Sequence, residues 1–526
     1  MAGANKYIDT RGNMESPLTF TEAIVKGLAP GGGLLVPQSI PTLTLDQILS
    51  LSKMKYAERA AYIYKCFDID LDPATIDSLM EVVYGDNFDD ERIAPIEKVG
   101  DRYVMELWHG PTSAFKDMAL QCLPVFFSKA VEVLREKGQA KEDYLVLVAT
   151  SGDTGKAALE GFKDRDHTQI MVFYPHGGVS DIQFKQMATQ LGSNVKVLGG
   201  HGDFDDCQTS VKRTFNDADF AARLANEYNV KLSSANSINW GRLMPQIVYY
   251  VSAYAQMVAD GAVEAGKPID VCVPTGNFGN ILAAYYAKRM GTPIARLVCA
   301  SNQNRVLTDF IETGVYDIRD RELVLTPSPS MDILVSSNLE RQLFELTGRD
   351  AGAIRGWMES LMGDGMFAVD DDTRAKMQEL YVGGSVSNDE SLQTIRRVYD
   401  EHGYLMDTHT AVAWAVCDKL LAGADAGSGA AIGSNPLLVA STAHWAKFGF
   451  DVYRALHDMP AGSELPADVV SLTGAQLNRM ISESTGGSAI PERLNALDDM
   501  ELRFTDTCEA TQAGVEAEVL NFLSSK

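Results

Sequence analysis

The feature that most constrains this chain is an alternation, through its middle, of short and nearly continuous apolar runs with helical patterns. Tyr144-Leu-Val-Leu-Val-Ala-Thr150 reads as a buried strand, and Gly155-Lys-Ala-Ala-Leu-Glu-Gly-Phe162 as the helix after it. A strand at Ile170–Tyr174, a helix around Gln183 to Leu191 and a strand at Val195–Leu198 follow. Further on, Val271–Val273 and Leu297–Cys299 bracket a helix near Ile281 to Met290, and Leu437–Ala440 is a late strand. Strands without polar alternation are covered on both faces, which calls for a parallel sheet flanked by helices. The fold class is α/β. Ligands of such sheets bind at loops just beyond the carboxyl ends of strands, so the chemistry is sought there.

Composition narrows the function. With 526 residues, 45% hydrophobic and 22% charged, the chain has an ordinary globular make-up and length for about three or four domains. Lys plus Arg against Asp plus Glu gives 46 − 71 = −25, a charge that repels nucleic acid yet leaves room for an anionic small substrate in a locally positive pocket. The seven cysteines are widely spaced, odd in number and form no CxxC. Neither a zinc site nor a disulfide framework is expected, and a reducing compartment fits. The start, MAGANKYIDTRGN, has no basic or apolar leader pattern, and no apolar run approaches ~18 residues. A cytoplasmic protein without membrane partners is the expectation.

Three strand-end loops carry candidate chemistry. In Ala149-Thr-Ser-Gly-Asp-Thr-Gly-Lys156, a glycine-bearing turn opens a helix whose N-terminus favours an anion. A nucleotide P-loop would need Gly at position 150 and Ser or Thr at 157, where Thr150 and Ala157 stand. An ordinary N-cap by Ser151 or Asp153 is the alternative. In Pro274-Thr-Gly-Asn-Phe-Gly-Asn280, Gly276 and Gly279 allow positive φ and close approach, suiting a phosphate cradle; a turn capped by Asn is the plainer reading. In Leu107-Trp-His-Gly-Pro-Thr-Ser-Ala-Phe-Lys-Asp117, Lys116 is either a solvated charge or, among Trp108, Ala114, Phe115, Met118 and Ala119, an amine whose pKa burial would lower for Schiff-base chemistry.

Together, HGPTSAFKD, ATSGDTGKAA and PTGNFGN resemble the threonine synthase family of fold-type-II pyridoxal-phosphate enzymes, in its long microbial and fungal subclass. Tyr7–Gly12, Gly27–Leu34, Val179–Gln183, Asn236–Arg242, Pro329–Ile333, Ser336–Arg341 and Ser441–Lys447 extend the resemblance over most of the chain. Asp9, Gly31, Thr408 and Trp445 depart from the family's usual Ser, Asp, Pro and Pro.

The resemblance implies two open, mainly parallel sheets flanked by helices and an N-terminal mixed, helical domain. The expected division is 1–93 for that domain, 94–135 with 245–465 for a large cofactor-binding domain, 136–244 for a smaller α/β domain with the SGDTG turn, and 466–526 for a C-terminal helical segment. Residues Ala422 to Gly433, rich in Gly and Ala, are expected to be a loop.

By the resemblance, Lys116 forms the Schiff base with pyridoxal 5'-phosphate. The backbone of Gly276, Asn277, Phe278, Gly279 and Asn280 holds the cofactor phosphate. Thr442, or alternatively Ser441, meets the pyridine nitrogen. Ser151, Asp153 and Thr154 reach the substrate, and Asn236, Asn239 and Arg242 are candidates for its phosphate; the bland reading of Arg242 is a surface ion pair. His109 and His409 are polar neighbours or structural histidines. No metal is implied. The implied reaction converts O-phospho-L-homoserine and water to L-threonine and phosphate. The alternatives are a phospho-lyase or dehydratase giving 2-oxobutyrate, and a non-catalytic relative. The resemblance leaves the oligomeric state open between monomer and homodimer.

Overall fold

The computed structural model describes residues 4–425 and 432–525. The chain divides into two compact units. One comprises the residues up to Phe20, Leu28–His109 and Leu243–Leu465; the other comprises Thr21–Gly27, Gly110–Arg242 and the residues from Pro466 onward.

The first unit is built on a six-stranded sheet. Its strands in spatial order are Tyr381–Ser385, Ile294–Ser301, Ile269–Pro274, Leu437–Ser441, Arg102–Glu106 and Ile96–Val99. Five run parallel and the edge strand Ile96–Val99 is antiparallel. The central strand Ile269–Pro274 is buried at every position, as a strand covered on both faces must be. Cys272, Val298 and Val439 of the sheet share a core with Val412, Ala413 and Val416 of the helix Thr408–Asp425. That helix corrects the loop expected from Ala422: it continues to Asp425 because packing of its earlier turns carries a segment in which Ala is a strong helix former. Residues 426–431 of the expected loop lie outside the described residues. The N-terminal segment adds mixed helices and one short antiparallel pair, Tyr7–Asp9 with Leu35–Pro37.

The second unit holds a five-stranded, wholly parallel sheet in the order Thr507–Glu509, Val195–His201, Thr168–Pro175, Asp143–Ala149 and Val230–Ser233. The edge strand Thr507–Glu509 corrects the expectation of helices alone after residue 466. Three residues without an apolar run carry no strand signal, and only pairing with Gly199–His201 makes them one. The C-terminal helix Gln512–Ser524 places Val515, Val519 and Phe522 in one core with Leu145, Leu147 and Phe173. The strands and helices expected between residues 144 and 299 and at 437–440 are present, with their ends shifted slightly. Among the described residues no helix is long and apolar enough to cross a membrane.

Candidate active site

In the first unit, the strand Ile269–Pro274 runs through Thr275-Gly-Asn-Phe into the helix Gly279–Arg289. The left-handed residue of this turn is Phe278, with φ 63, and neither Gly276 nor Gly279 has positive φ. This corrects the role expected of the glycines. The Phe278 side chain is buried against Tyr381, ring centroids 5.4 Å apart, and such packing holds a non-glycine residue in an unfavoured conformation. Glycine is needed at 276 for space, since an added Cβ would lie 2.6 Å from the Ser330 carbonyl oxygen. No asparagine caps the helix: Phe278 occupies the cap without a side-chain bond.

The carbonyl side of this turn is held by neighbours. Ser336 Oγ donates to the Gly276 carbonyl at 3.3 Å, the Asn338 N–H to the Asn277 carbonyl at 3.1 Å, and Ser337 Oγ to Asn277 Oδ1 at 3.1 Å. The N–H side is different. Among the described residues, the N–H groups of Gly276 through Asn280 donate to no protein acceptor. Asn280 Oδ1 accepts the hydroxyls of Tyr249 and Tyr250 at 2.7 and 2.5 Å, while its buried Nδ2 has no partner among the described residues. Unengaged donors at a helix N-terminus make an anion site. The residues present fit a cofactor phosphate.

Beyond the adjacent strand Leu437–Ser441, the two hydroxyl candidates differ. Ser441 is engaged: its Oγ accepts from Trp108 Nε1 and from Thr410 Oγ1, both at 3.0 Å. Thr442 is buried next to it. Trp108 stacks on His109, ring centroids 4.1 Å apart, and meets His444 edge-on at 4.7 Å. His109 lies between Asp89 Oδ1 at 2.6 Å and Glu106 Oε2 at 3.0 Å. Burial opposes its charge, but hydrogen bonds to the two carboxylates outweigh that and raise its pKa to about 9. Burial, with the nearby charges of His109 and Lys447, pushes His444 the other way, down to about 3. His409 donates from Nδ1 to Asp407 Oδ1 at 2.9 Å and accepts the Ser330 N–H at Nε2, 3.2 Å away. It thereby fixes the backbone against which Gly276 packs. Thr408, where the family has Pro, uses its hydroxyl to hold the Pro327 carbonyl at 2.6 Å.

The second unit carries the lysine. The turn before the helix Asp117–Leu120 closes around Asp117, whose carboxylate accepts the Thr112 N–H at 2.8 Å and the Thr112 hydroxyl at 2.9 Å. Gly110 is dictated by space, because a Cβ there would lie 2.4 Å from that of Asp117. Lys116 is thus presented by a turn with little freedom. Its side chain is 11% exposed, and Nζ lies 3.9 Å from Asp153 Oδ2 and 5.1 Å from the Phe115 ring centroid. It is neither a solvated charge nor in wholly apolar surroundings.

Asp153 comes from the turn after the strand Asp143–Ala149, and neither it nor Ser151 caps the helix Asp153–Phe162. The capping acceptor is Thr150, whose Oγ1 takes the N–H of Gly152 at 3.0 Å and of Gly155 at 2.9 Å. Both expected caps are therefore corrected. Asp153, buried, instead receives Gln183 Nε2 on Oδ1 at 3.0 Å. Gln183 had no role assigned from sequence; its only signal was membership of the Val179–Gln183 stretch. Ser151 and Thr154 are partly exposed beside Asp153.

Asn236, Asn239 and Arg242 form successive turns, the Asn239 N–H donating to the Asn236 carbonyl and the Arg242 N–H to that of Asn239. The Asn239 amide is engaged at both ends, by the Ile24 carbonyl and the Gly241 N–H. Arg242 does not lie at the surface, where the bland reading put it. It is buried, donates from Nη1 to the Ala235 carbonyl at 2.6 Å, and burial lowers its pKa to about 10.

The candidate residues thus divide by unit: 276–280, Ser441 and Thr442 in the first, Lys116, Ser151, Asp153, Thr154, Asn236, Asn239 and Arg242 in the second. Residues 91–433 match a family described as pyridoxal-phosphate dependent enzyme. Fold, phosphate-type loop and this match define the class: a pyridoxal-phosphate-dependent enzyme. Residues 6–84 match the family described as threonine synthase N terminus. The chain is 38% identical over 473 residues to threonine synthase of Pseudomonas aeruginosa, covering 89% of this chain and 93% of that one. A crystal structure of PLP-bound threonine synthase from Brucella melitensis is 36% identical, with a TM-score of 0.82 and 99% of each chain covered. Threonine synthase-like 1 of Macaca fascicularis is 44% identical over 446 residues, 83% of this chain, but the chain spans only 58% of that relative's length. The chain belongs to the threonine synthase family.

Proposed function

We propose that the chain is a threonine synthase, a lyase acting on O-phospho-L-homoserine and water to give L-threonine and phosphate. The observation that carries this is, in the first unit, a turn whose five N–H groups are unengaged among the described residues; the constrained, mostly buried lysine beside Asp153 in the second unit agrees with it. The near full-length likeness to the Pseudomonas aeruginosa enzyme supports the substrate.

In this reading, Gly276 to Asn280 hold the cofactor phosphate, Thr442 meets the pyridine nitrogen, and Lys116 is the attachment point. Ser441 is set aside because its hydroxyl is held by Trp108 and Thr410. Bound pyridoxal phosphate supplies an electron sink that makes protons near the substrate amine acidic. Lys116 Nζ, released when the substrate amine binds, is the base for the α-proton. Asp153, fixed by Gln183, stabilises the ammonium that results. Ser151 and Thr154 orient the substrate. Arg242 and Asn236 bind its phosphate, and Asn239 shapes their turn through its backbone contacts. Loss of the β-proton and the γ-phosphate, proton return at Cγ, water addition at Cβ and return of a proton to Cα complete the balance.

A second reading has a specific motive: the 44% identity to threonine synthase-like 1 exceeds that to the named synthase. It is elimination without water addition at Cβ, giving 2-oxobutyrate. Incubation with O-phospho-L-homoserine and quantitation of products separates the two. Threonine and phosphate in equal amounts are expected. Predominant 2-oxobutyrate would establish the phospho-lyase, and no turnover with no visible absorbance band would leave a non-catalytic relative.

A further inference from the structure

Two stretches that the reaction leaves without a role, Tyr7–Gly12 and Ser336–Arg341, meet within the first unit. Glu340, 5% exposed, takes Arg11 in a two-point grip, Nε to Oε1 at 2.9 Å and Nη2 to Oε2 at 2.7 Å. Thr10 Oγ1 donates to the same Oε1 at 2.5 Å and accepts the Leu34 N–H at 2.9 Å. The turn presenting both residues is tied by Asp9, whose Oδ1 accepts the N–H of Arg11 and Asn13 and whose Oδ2 accepts that of Met14. A serine hydroxyl could not serve three such donors at two separate oxygens, so the departure at position 9 has a structural use.

From Glu340 the connection reaches the anion turn. Arg341, fully buried, donates twice to the Leu35 carbonyl and once to Asn338 Oδ1 at 2.6 Å. Asn338, also fully buried, holds the Asn277 carbonyl through its N–H, and Ser336 and Ser337 hold Gly276 and the Asn277 side chain. Three consecutive residues therefore occupy the acceptor side of the turn. They are anchored by a guanidinium–carboxylate fork, whose planar match fixes orientation as well as distance.

We propose that Thr10, Arg11 and Glu340 are positioning residues for the 276–280 turn: they fix the Ser336–Arg341 strap on its carbonyls and so keep its N–H groups available to a phosphate. The inference rests on the assignment of that turn to the cofactor phosphate. It gives the N-terminal motif a function at a distance, with no contact to cofactor or substrate required.

The test uses the full chain freed of cofactor and titrated with pyridoxal 5'-phosphate or with pyridoxal, which lacks the phosphate, followed by visible absorbance. In Arg11→Ala and Glu340→Gln, affinity for the phosphorylated form is expected to fall about tenfold or more and affinity for pyridoxal to stay within about twofold. Arg11→Lys retains charge but not the fork and falls between. A merely structural contact would lower the melting temperature and weaken both ligands alike, and that result overturns the proposal, as does equal binding by variants and wild type. Should Glu340→Gln not fold, Thr10→Val removes only the hydroxyl's two hydrogen bonds, to Glu340 and from the Leu34 N–H, and carries the same comparison. A wild-type chain that binds neither ligand would overturn the cofactor assignment itself, a failure distinguishable from that of the strap.

Discussion

Two strand-to-helix turns in this molecule look alike as sequence, each a pair of glycines among small polar residues, and they behave oppositely. In the turn at 149–155, Thr150 folds back and takes the N–H groups of Gly152 and Gly155. In the turn at 276–280, no group among the described residues takes any of the five N–H groups, and the carbonyls are held instead. The first has two of its N–H groups taken by its own Thr150 and offers a ligand the side chains of Ser151, Asp153 and Thr154. The second can offer backbone. Which side of a peptide turn the rest of the fold engages decides whether it becomes an anion site.

The largest test of that contrast is Lys116→Ala, beside the turn that presents side chains. Turnover is expected to fall by at least about a thousandfold, and borohydride should no longer fix the cofactor to the chain. Peptide mapping that finds the cofactor on another lysine would break the comparison. Next is Gly152→Ala. Gly152 has φ 136, and a Cβ would lie 2.3 Å from Gln183 Cδ, so a loss of about 2–3 kcal/mol is expected in urea unfolding. Strain of that kind displaces Gln183 and frees Asp153, so activity should fall more than cofactor affinity.

A smaller effect is expected from Thr150→Val, which leaves two buried N–H groups without their acceptor. Unfolding free energy should drop by about 1–3 kcal/mol, with phosphate-dependent cofactor affinity unchanged; a shift in that affinity would blur the distinction between the turns. The smallest concerns pH. The folded pKa of His109 is raised to about 9 from an unfolded value of about 6.5. Its contribution is therefore complete below about pH 6.5 and lost as pH rises through about 9. Melting temperature should decline across that window, and His109→Gln should flatten the decline. Replacement of Ser151 should leave it intact.

Much of the fold was legible because double-sided burial leaves an unmistakable mark: Leu145 to Val148 and Val271 to Val273 had to be central strands. Thr507–Glu509 was not legible, since its strand character exists only through pairing with Gly199–His201. At the site, Lys116 and the 276–280 turn stood out by motif, yet the left-handed residue proved to be Phe278. No local rule selects a buried phenylalanine for that conformation; its packing on Tyr381 does. Gln183 escaped notice because its partner, Asp153, lies 30 residues away.

By itself the sequence determined the α/β class, the order of strands and helices, the candidate lysine and the glycine-bearing turns, because these follow from hydrophobic periodicity and from local residue chemistry. The tertiary structure decided which donors stay unengaged, which carboxylate stands beside Lys116, and that Arg11 grips Glu340 across 329 residues. Those outcomes depend on which distant groups reach hydrogen-bond distance, and that is a property of packing in three dimensions that no local pattern encodes.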